Sequence, residues 1–302
     1  MDTDAGHVPV MLAEALEQLK LRPGLTVVDG TAGGGGHAAE ILVRIRPGGR
    51  LLLLDRDREA LERLIARFGR VGDVRYFHTN LADIDQVLAA AGLDRIDGIL
   101  LDLGLSSLQL SDPDRGFSFE HPGPLDMRFD RSEGLTAEEI VNRWPAERLA
   151  SLFRDYGDQP FSRRIARAIV EARGQQPIRR TDELARIVAE AVPASWRRTQ
   201  RIHPATRVFQ SLRIFVNSEL KSLDAFFDKI FRCLNPGGRV VVIAFHSGED
   251  RIVKTRLREA ASSGLVRLPV AKSITATPQE VARNPRSRSA RLRVAERLPT
   301  TG

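Results

Sequence analysis

The chain has 302 residues, 42% hydrophobic and 28% charged, enough to bury one large core, or a core with an inserted domain, without covalent staples. Its one cysteine, Cys233, excludes an intramolecular disulfide and a cysteine zinc cluster, and it reads as an apolar filler in a helical run over 226–234. Lys and Arg (46) exceed Asp and Glu (39), giving +7, and nearly all of the base is arginine, which binds phosphate bidentately and stacks on bases, so a polyanionic partner is expected.

The first six residues are acidic and lack the basic and apolar regions of a signal peptide. No apolar run reaches the roughly 18 residues of a membrane span, so a cytoplasmic, non-membrane protein is expected. A first strand over 25–29 ends on Asp29 and runs into Gly30-Thr31-Ala32-Gly33-Gly34-Gly35-Gly36-His37. Glycine permits positive φ and close backbone approach where a helix begins. Gly33, Gly35 and Ala38 fit a dinucleotide-type fingerprint, and Asp55, closing a second strand over 50–55, stands at about the 20-residue offset of a ribose-binding acid. The plainer readings are a tight strand-to-helix turn for the glycines and, for Asp55, a cap on a helix over 58–68. Asp29 would repel a pyrophosphate but pair with the α-ammonium of a methionine-like ligand, which favours S-adenosylmethionine over NAD.

A third strand over 74–78 is followed by Asn80 and Leu81, suited to an adenine edge and face, or to a helix cap and a core leucine. The fourth, over 96–103, carries Asp102 and leads into the turn Gly104-Leu105-Ser106-Ser107. Strands alternating with helical patterns of ten to fifteen residues predict a doubly wound, Rossmann-like parallel sheet. Turn chemistry then takes over at 111–116 and 120–124, followed by helices over 136–142, 146–155, 162–173 and 181–191, the last two opened by Ser162 and Thr181 as caps. Strands return at 239–245 and 291–297. The expected organisation is a core over 1–110 and 206–302, interrupted by a helical insertion over 111–205.

Methyl transfer to an exocyclic amine needs in-line positioning and acceptors for the amine protons, because the nitrogen lone pair is conjugated with its ring until those bonds localise it. Asp102 and the Leu103 carbonyl are the candidates, with Ser106 in the following turn; a loop-stabilising role is the plain alternative. His246, after the fifth strand and followed by Glu249, could face the same cleft and move a proton, or simply be structural, with Ser247 capping the next helix. Metal-ligand spacing is missing, and no GKS or GKT follows the glycines as a P-loop requires. Two basic segments, 196–207 with Trp196 and 283–291, have a phosphate-tracking composition that equally describes a solvated face.

The chain resembles the RsmH (MraW) family of bacterial S-adenosylmethionine-dependent methyltransferases, which modify the N4 of a cytidine in small-subunit (16S) ribosomal RNA. The resemblance rests on His7-Val8-Pro9-Val10, the segment from Asp29 to His37, Leu54-Asp55-Arg56-Asp57, the run from Gly98 to Ser107 with Gln109, Arg115-Gly116-Phe117-Ser118-Phe119, and Gly123-Pro124-Leu125-Asp126-Met127-Arg128. It continues through His203-Pro204-Ala205-Thr206-Arg207, Phe245-His246-Ser247 with Glu249-Asp250-Arg251, and Asn284-Pro285-Arg286-Ser287-Arg288-Ser289. It implies cofactor contacts at Gly35, Gly36, His37, Asp55, Leu81, Asp102 and Gln109, to which the residue reading adds Asp29, Gly33 and Asn80. It also implies an RNA-receiving insertion and a ribosomal RNA partner, with no metal; assembly of several copies is compatible with it. Gly248 departs from the leucine usual in the family, which bears on the loop holding His246. The alternatives are a DNA amino methyltransferase, a cofactor-sensing RNA-binding protein without turnover and, remotely, an NAD oxidoreductase.

Overall fold

A computed structural model describes residues 9–70, 72–199 and 202–299. The acidic N-terminus, His7, Val8 and Arg201 lie outside the described residues. The chain divides into two compact units, one built from residues 1–104 and 220–302 and the other from 105–219.

The first unit is built on a sheet of β1 (Thr26–Asp29), β2 (Arg50–Asp55), β3 (Val74–His78), β4 (Ile96–Asp102), β5 (Leu234–Ala244), β6 (Val266–Arg267), β7 (Ile274–Thr275) and β8 (Arg291–Arg297). Its order is β3-β2-β1-β4-β5-β8-β6, with β7 also pairing β8. The strands from β3 to β5 are parallel and β8 runs antiparallel to β5. β1, β2 and β4 are nearly continuous apolar runs because helices cover both faces of a parallel sheet, and Leu51, Leu53, Val27 and Leu100 pack on one side while Leu52, Leu54, Val28 and Leu101 pack on the other. Chain order reverses between β1 and β4, and this switch point is where open α/β sheets bind ligands beyond the carboxyl ends of their strands. Asp29 and Asp102 end the two strands that flank it. Among the described residues no helix is long and apolar enough to cross a membrane.

The sequence reading differs here in several details: β1 begins at Thr26 rather than 25 and β4 ends at Asp102 rather than 103. The helix expected over 226–234 is Glu219–Ile230, and Cys233 lies beyond it, buried in the apolar cluster. β5 starts at Leu234 rather than at 239, because the turn Asn235-Pro236-Gly237-Gly238 is absorbed as an irregularity where β4 shifts register between Ile96 and Gly98.

The second unit is helical: Ala137–Arg143, Ala146–Gly157, Ser162–Gln175, Thr181–Ala191, Ala194–Thr199 and Ala205–Val216. Phe153, Ile165, Ile169, Leu184, Val188 and Leu212 form part of its buried cluster. It runs over 105–219 rather than 111–205, because helix Ala205–Val216 places Val208, Phe209 and Leu212 in that cluster. Ser162 and Thr181 are not caps: the N-cap positions are Phe161 and Arg180, and Thr181 Oγ1 accepts from the Gly123 amide instead. The loop before the first of these helices is fixed by the buried Arg115, which donates to the carbonyls of Arg128 and Phe129. Asn217 ties the same loop down, donating to the Met127 carbonyl at 2.7 Å and accepting from the Phe129 amide at 2.7 Å.

Candidate active site

The parallel register brings the C-terminal carboxylates of three adjacent strands to one edge. Asp29 pairs with Leu53 and Leu100 on either side, Asp55 ends β2, and Asp102 ends β4 opposite Ile243. Asp29 is 2% exposed, and its Oδ1 accepts from the Thr31 amide at 3.2 Å. Burial, against that hydrogen bond and with Asp55 nearby, raises its carboxyl from 3.8 to about 7. Burial also pushes Asp55 up, although its oxygens accept from the amides of Gly33 and Asp57, each at 2.8 Å. With the Arg56 amide as a third donor, one of the four lone pairs stays open for a ligand hydroxyl. The capping alternative for Asp55 fails, since Asp57 caps helix Arg58–Phe68 by accepting from Glu59.

Asp102, like His246 with its Nε2, carries a buried polar atom that no hydrogen bond among the described residues satisfies. Its own amide donates to Thr31 Oγ1 at 2.6 Å, and its Oδ2 faces His37 Nδ1 at 3.6 Å. Its Oδ1 is buried with no hydrogen-bond partner among the described residues. Burial, then the charges of Asp29 and Glu249, hold this carboxyl well above the usual carboxylate range. A buried acceptor without a donor is costly, and such groups cluster at functional sites.

The glycine loop separates packing from access. A Cβ on Gly35, at φ +76°, would stand 2.4 Å from Leu64, and one on Gly36 would stand 2.3 Å from Pro9. These two glycines are therefore demanded by the fold. Gly34, which the fingerprint passed over, has open space where its Cβ would be. Gly33 takes φ +48° and spends its amide on Asp55, so it shapes the loop and orients that carboxylate. His37 is buried, with Nε2 at 3.1 Å from the Val10 carbonyl.

Other candidates take structural roles. Asn80 Oδ1 accepts from Ala82 as a helix cap and its amide donates to Ser222 Oγ at 2.8 Å, which is the plain reading of that residue; Leu81 is half-buried against the apolar cluster. Ser106 and Gln109 belong to the helical unit and form a reciprocal capping box on helix Ser107–Ser111. His246, rather than Ser247, is the N-cap of helix Ser247–Ser262, its Nδ1 accepting from the Gly248 and Glu249 amides at 3.2 and 3.4 Å. That leaves the neutral ring's proton on Nε2, facing Glu249 Oε1 at 3.2 Å, so the imidazole has no spare lone pair with which to act as a base. The cap engages the Gly248 amide directly, so the loop is held despite the missing leucine.

Glu249 is the residue the sequence reading undervalued. It is 2% exposed, and its Oε2 accepts from the Phe245 and His246 amides at 2.8 and 3.3 Å. Its signal was a Glu three residues after a strand-end cap, the spacing of a capping box with histidine in the place of serine. In the basic segments, Arg197, Arg198, Arg286 and Arg288 are exposed, while Trp196 packs edge-on against Phe161 with centroids 5.3 Å apart. Among the described residues no His, Cys, Asp and Glu cluster could hold a metal.

Residues 4–298 match the MraW methylase family. The protein named ribosomal RNA small subunit methyltransferase H of Nitratidesulfovibrio vulgaris (strain DSM 19637 / Miyazaki F) is 49% identical, over 97% of this chain and 86% of its own. Proteins of the same name from Solidesulfovibrio magneticus and Syntrophotalea carbinolica are 47% and 48% identical, covering 98% and 97% of this chain and 97% and 98% of theirs.

Proposed function

The chain belongs to the MraW methylase family, and from that membership we propose that it transfers a methyl group from S-adenosyl-L-methionine to the exocyclic N4 of a cytidine in 16S ribosomal RNA. The observation that carries the reading is the Asp102 carboxyl at the switch point, with a buried oxygen that lacks a donor among the described residues. An amine N–H supplies the donor that this oxygen lacks.

The cofactor supplies a methyl group on a cationic sulfur. The residues present suit it: Asp29 offers a carboxyl to its ammonium, Asp55 keeps a lone pair for its ribose, Leu81 offers an apolar face for its adenine, and Gly34 leaves room for backbone approach. Gly33, Gly35 and Gly36 hold the loop in shape for this. Asp102 orients the amine by accepting its N–H, which localises the nitrogen lone pair for in-line attack. Glu249 and His246 keep the loop after β5 in place rather than moving the proton. The helical unit over 105–219, with exposed Arg197 and Arg198, receives RNA, and the protein acts in the cytoplasm on the small subunit.

The test is incubation with methyl-labelled cofactor and small subunits lacking the modification, followed by digestion to nucleosides. Label in N4-methylcytidine is expected. Label in another nucleoside, transfer to DNA in preference to RNA, or cofactor binding without transfer would each overturn the assignment.

A further inference from the structure

Residues 9–11 bear on the turn that opens the glycine-loop helix. Pro9 packs so closely on Gly36 that a Cβ there would stand 2.3 Å from its ring, and the Val10 carbonyl accepts from His37 Nε2 at 3.1 Å. Met11, next in the chain, is fully buried in the left-handed region at φ 51° and stands at the N-cap of helix Leu12–Leu19, where its side chain caps nothing. A non-glycine residue at positive φ is strained, and it persists only where its surroundings over-determine it. The restraint comes from the far end of the chain. Glu280, in helix Pro278–Arg283, accepts from the Met11 amide at 2.6 Å across 269 positions of sequence. Ala276, shortly before that helix, and Ala290, after it, pack in the same apolar cluster as Val10, Met11, Ala32 and Ala38.

We propose that Glu280 is a positioning residue for the cofactor loop, acting through the single peptide group between Val10 and Met11; this rests on the S-adenosylmethionine reading above. The N–H of that peptide goes to Glu280 and its C=O receives His37, so one rigid plane is held from both sides. Fixing the N–H aims the carbonyl. Each bond also polarises the other, as in any hydrogen-bonded chain away from water. A capping-box acid would stand at Glu14, yet the Met11 amide goes to Glu280, whose carboxylate satisfies the entry amide of helix Leu12–Leu19 and sets negative charge at its positive end. All of these residues belong to the sheet unit. Without the acceptor, the peptide plane rotates and Met11 relaxes from the left-handed region. The Val10 carbonyl then leaves the His37 ring, Pro9 lifts from Gly36, and only the seated fraction of molecules presents the loop correctly, so apparent cofactor affinity falls by that fraction.

The experiment compares the full-length parent with Glu280→Ala, which removes the acceptor, and Glu280→Gln, which keeps one. Calorimetry with S-adenosylhomocysteine, run well below the melting transition that circular dichroism records for each protein, should show affinity about tenfold lower in Glu280→Ala and close to the parent in Glu280→Gln. In the ligand-free proteins, NMR should show the His37 Nε2 proton exchanging with water about tenfold faster in Glu280→Ala, again with the parent's rate restored by Gln. A residue that merely ties the chain ends together would lower the melting temperature and leave both readouts unmoved. Parent-like affinity or parent-like exchange in folded Glu280→Ala therefore overturns the proposal, as does a Glu280→Gln protein that loses as much as Glu280→Ala. Failure of the cofactor reading looks different: a parent that binds no S-adenosylhomocysteine overturns that reading and this role with it, whereas equal, tight binding by parent and Glu280→Ala overturns this role alone.

Discussion

Asp102 Oδ1 is enclosed by protein without a donor among the described residues, so the carboxyl is held at a free-energy cost that a ligand N–H relieves. Asp102→Asn keeps an acceptor but loses the charge, and should lower the single-turnover rate about 100- to 10,000-fold while changing RNA affinity far less; rapid-quench assays and binding titrations separate the two. His246→Ala should fall less far, because its ring caps a helix and carries no free lone pair. Asp29 makes a pH prediction. Its carboxyl lies near 7 in the fold against 3.8 ordinarily, so the folded state holds a proton that the unfolded chain gives up between about pH 4 and 7. Stability from this group is therefore full below that window and is lost as pH rises through it, by about 4 kcal/mol at most. Asp55 and Asp102 are raised in the same direction and steepen the same decline. Asp29→Asn should flatten the fall of the unfolding midpoint between pH 5 and 8 and weaken cofactor binding; an equally steep fall in the variant would remove Asp29 as its source.

At the scale of the elements, the glycine loop carries two kinds of constraint that substitution can separate. Gly36→Ala forces a methyl to within 2.3 Å of Pro9 and should destabilise the fold by about 1 to 3 kcal/mol. Gly34→Ala meets nothing in the protein, so its melting curve should match the parent while calorimetry shows cofactor affinity reduced about tenfold; unchanged affinity would mean that the ligand does not approach the loop there. Sequence alone distinguished neither glycine, because the distinction lies in Pro9 and Leu64, remote in sequence from the turn. β2, β3 and β8 were readable to the residue since apolar runs end there on charge or turn chemistry, and Asp29, Asp55 and Asp102 were readable as strand-end carboxylates. The two-residue strands β6 and β7 were not, because each exists only through pairing with β8. Caps misled for a related reason. Which polar residue caps a helix depends on the backbone angles at its entry, and Asp57 and His246 have extended angles where Asp55 and Ser247 looked equally suitable in sequence.

Over the whole molecule the charge excess is +7, and arginine stands exposed in both units, Arg197 and Arg198 in the helical one and Arg286 and Arg288 in the sheet unit. If RNA is the substrate, these groups act through phosphate neutralisation, which is read by the salt dependence of binding rather than by affinity at one condition. Each arginine that touches phosphate releases about one counterion's worth of slope, so replacing it by alanine should reduce the slope of log affinity against log salt by roughly 0.7 to 0.9. Cofactor affinity should stay at the parent value, because none of the four belongs to the carboxylate and glycine cluster at the strand ends. Trp196 makes a useful contrast: its ring is engaged with Phe161, so Trp196→Ala should loosen the helical unit and lower its melting temperature without altering the salt slope. An arginine variant with the parent's slope returns that residue to solvated surface. A tryptophan variant that leaves the melting temperature untouched yet weakens RNA binding would instead make the ring a base-stacking platform beside Arg197 and Arg198 on helix Ala194–Thr199.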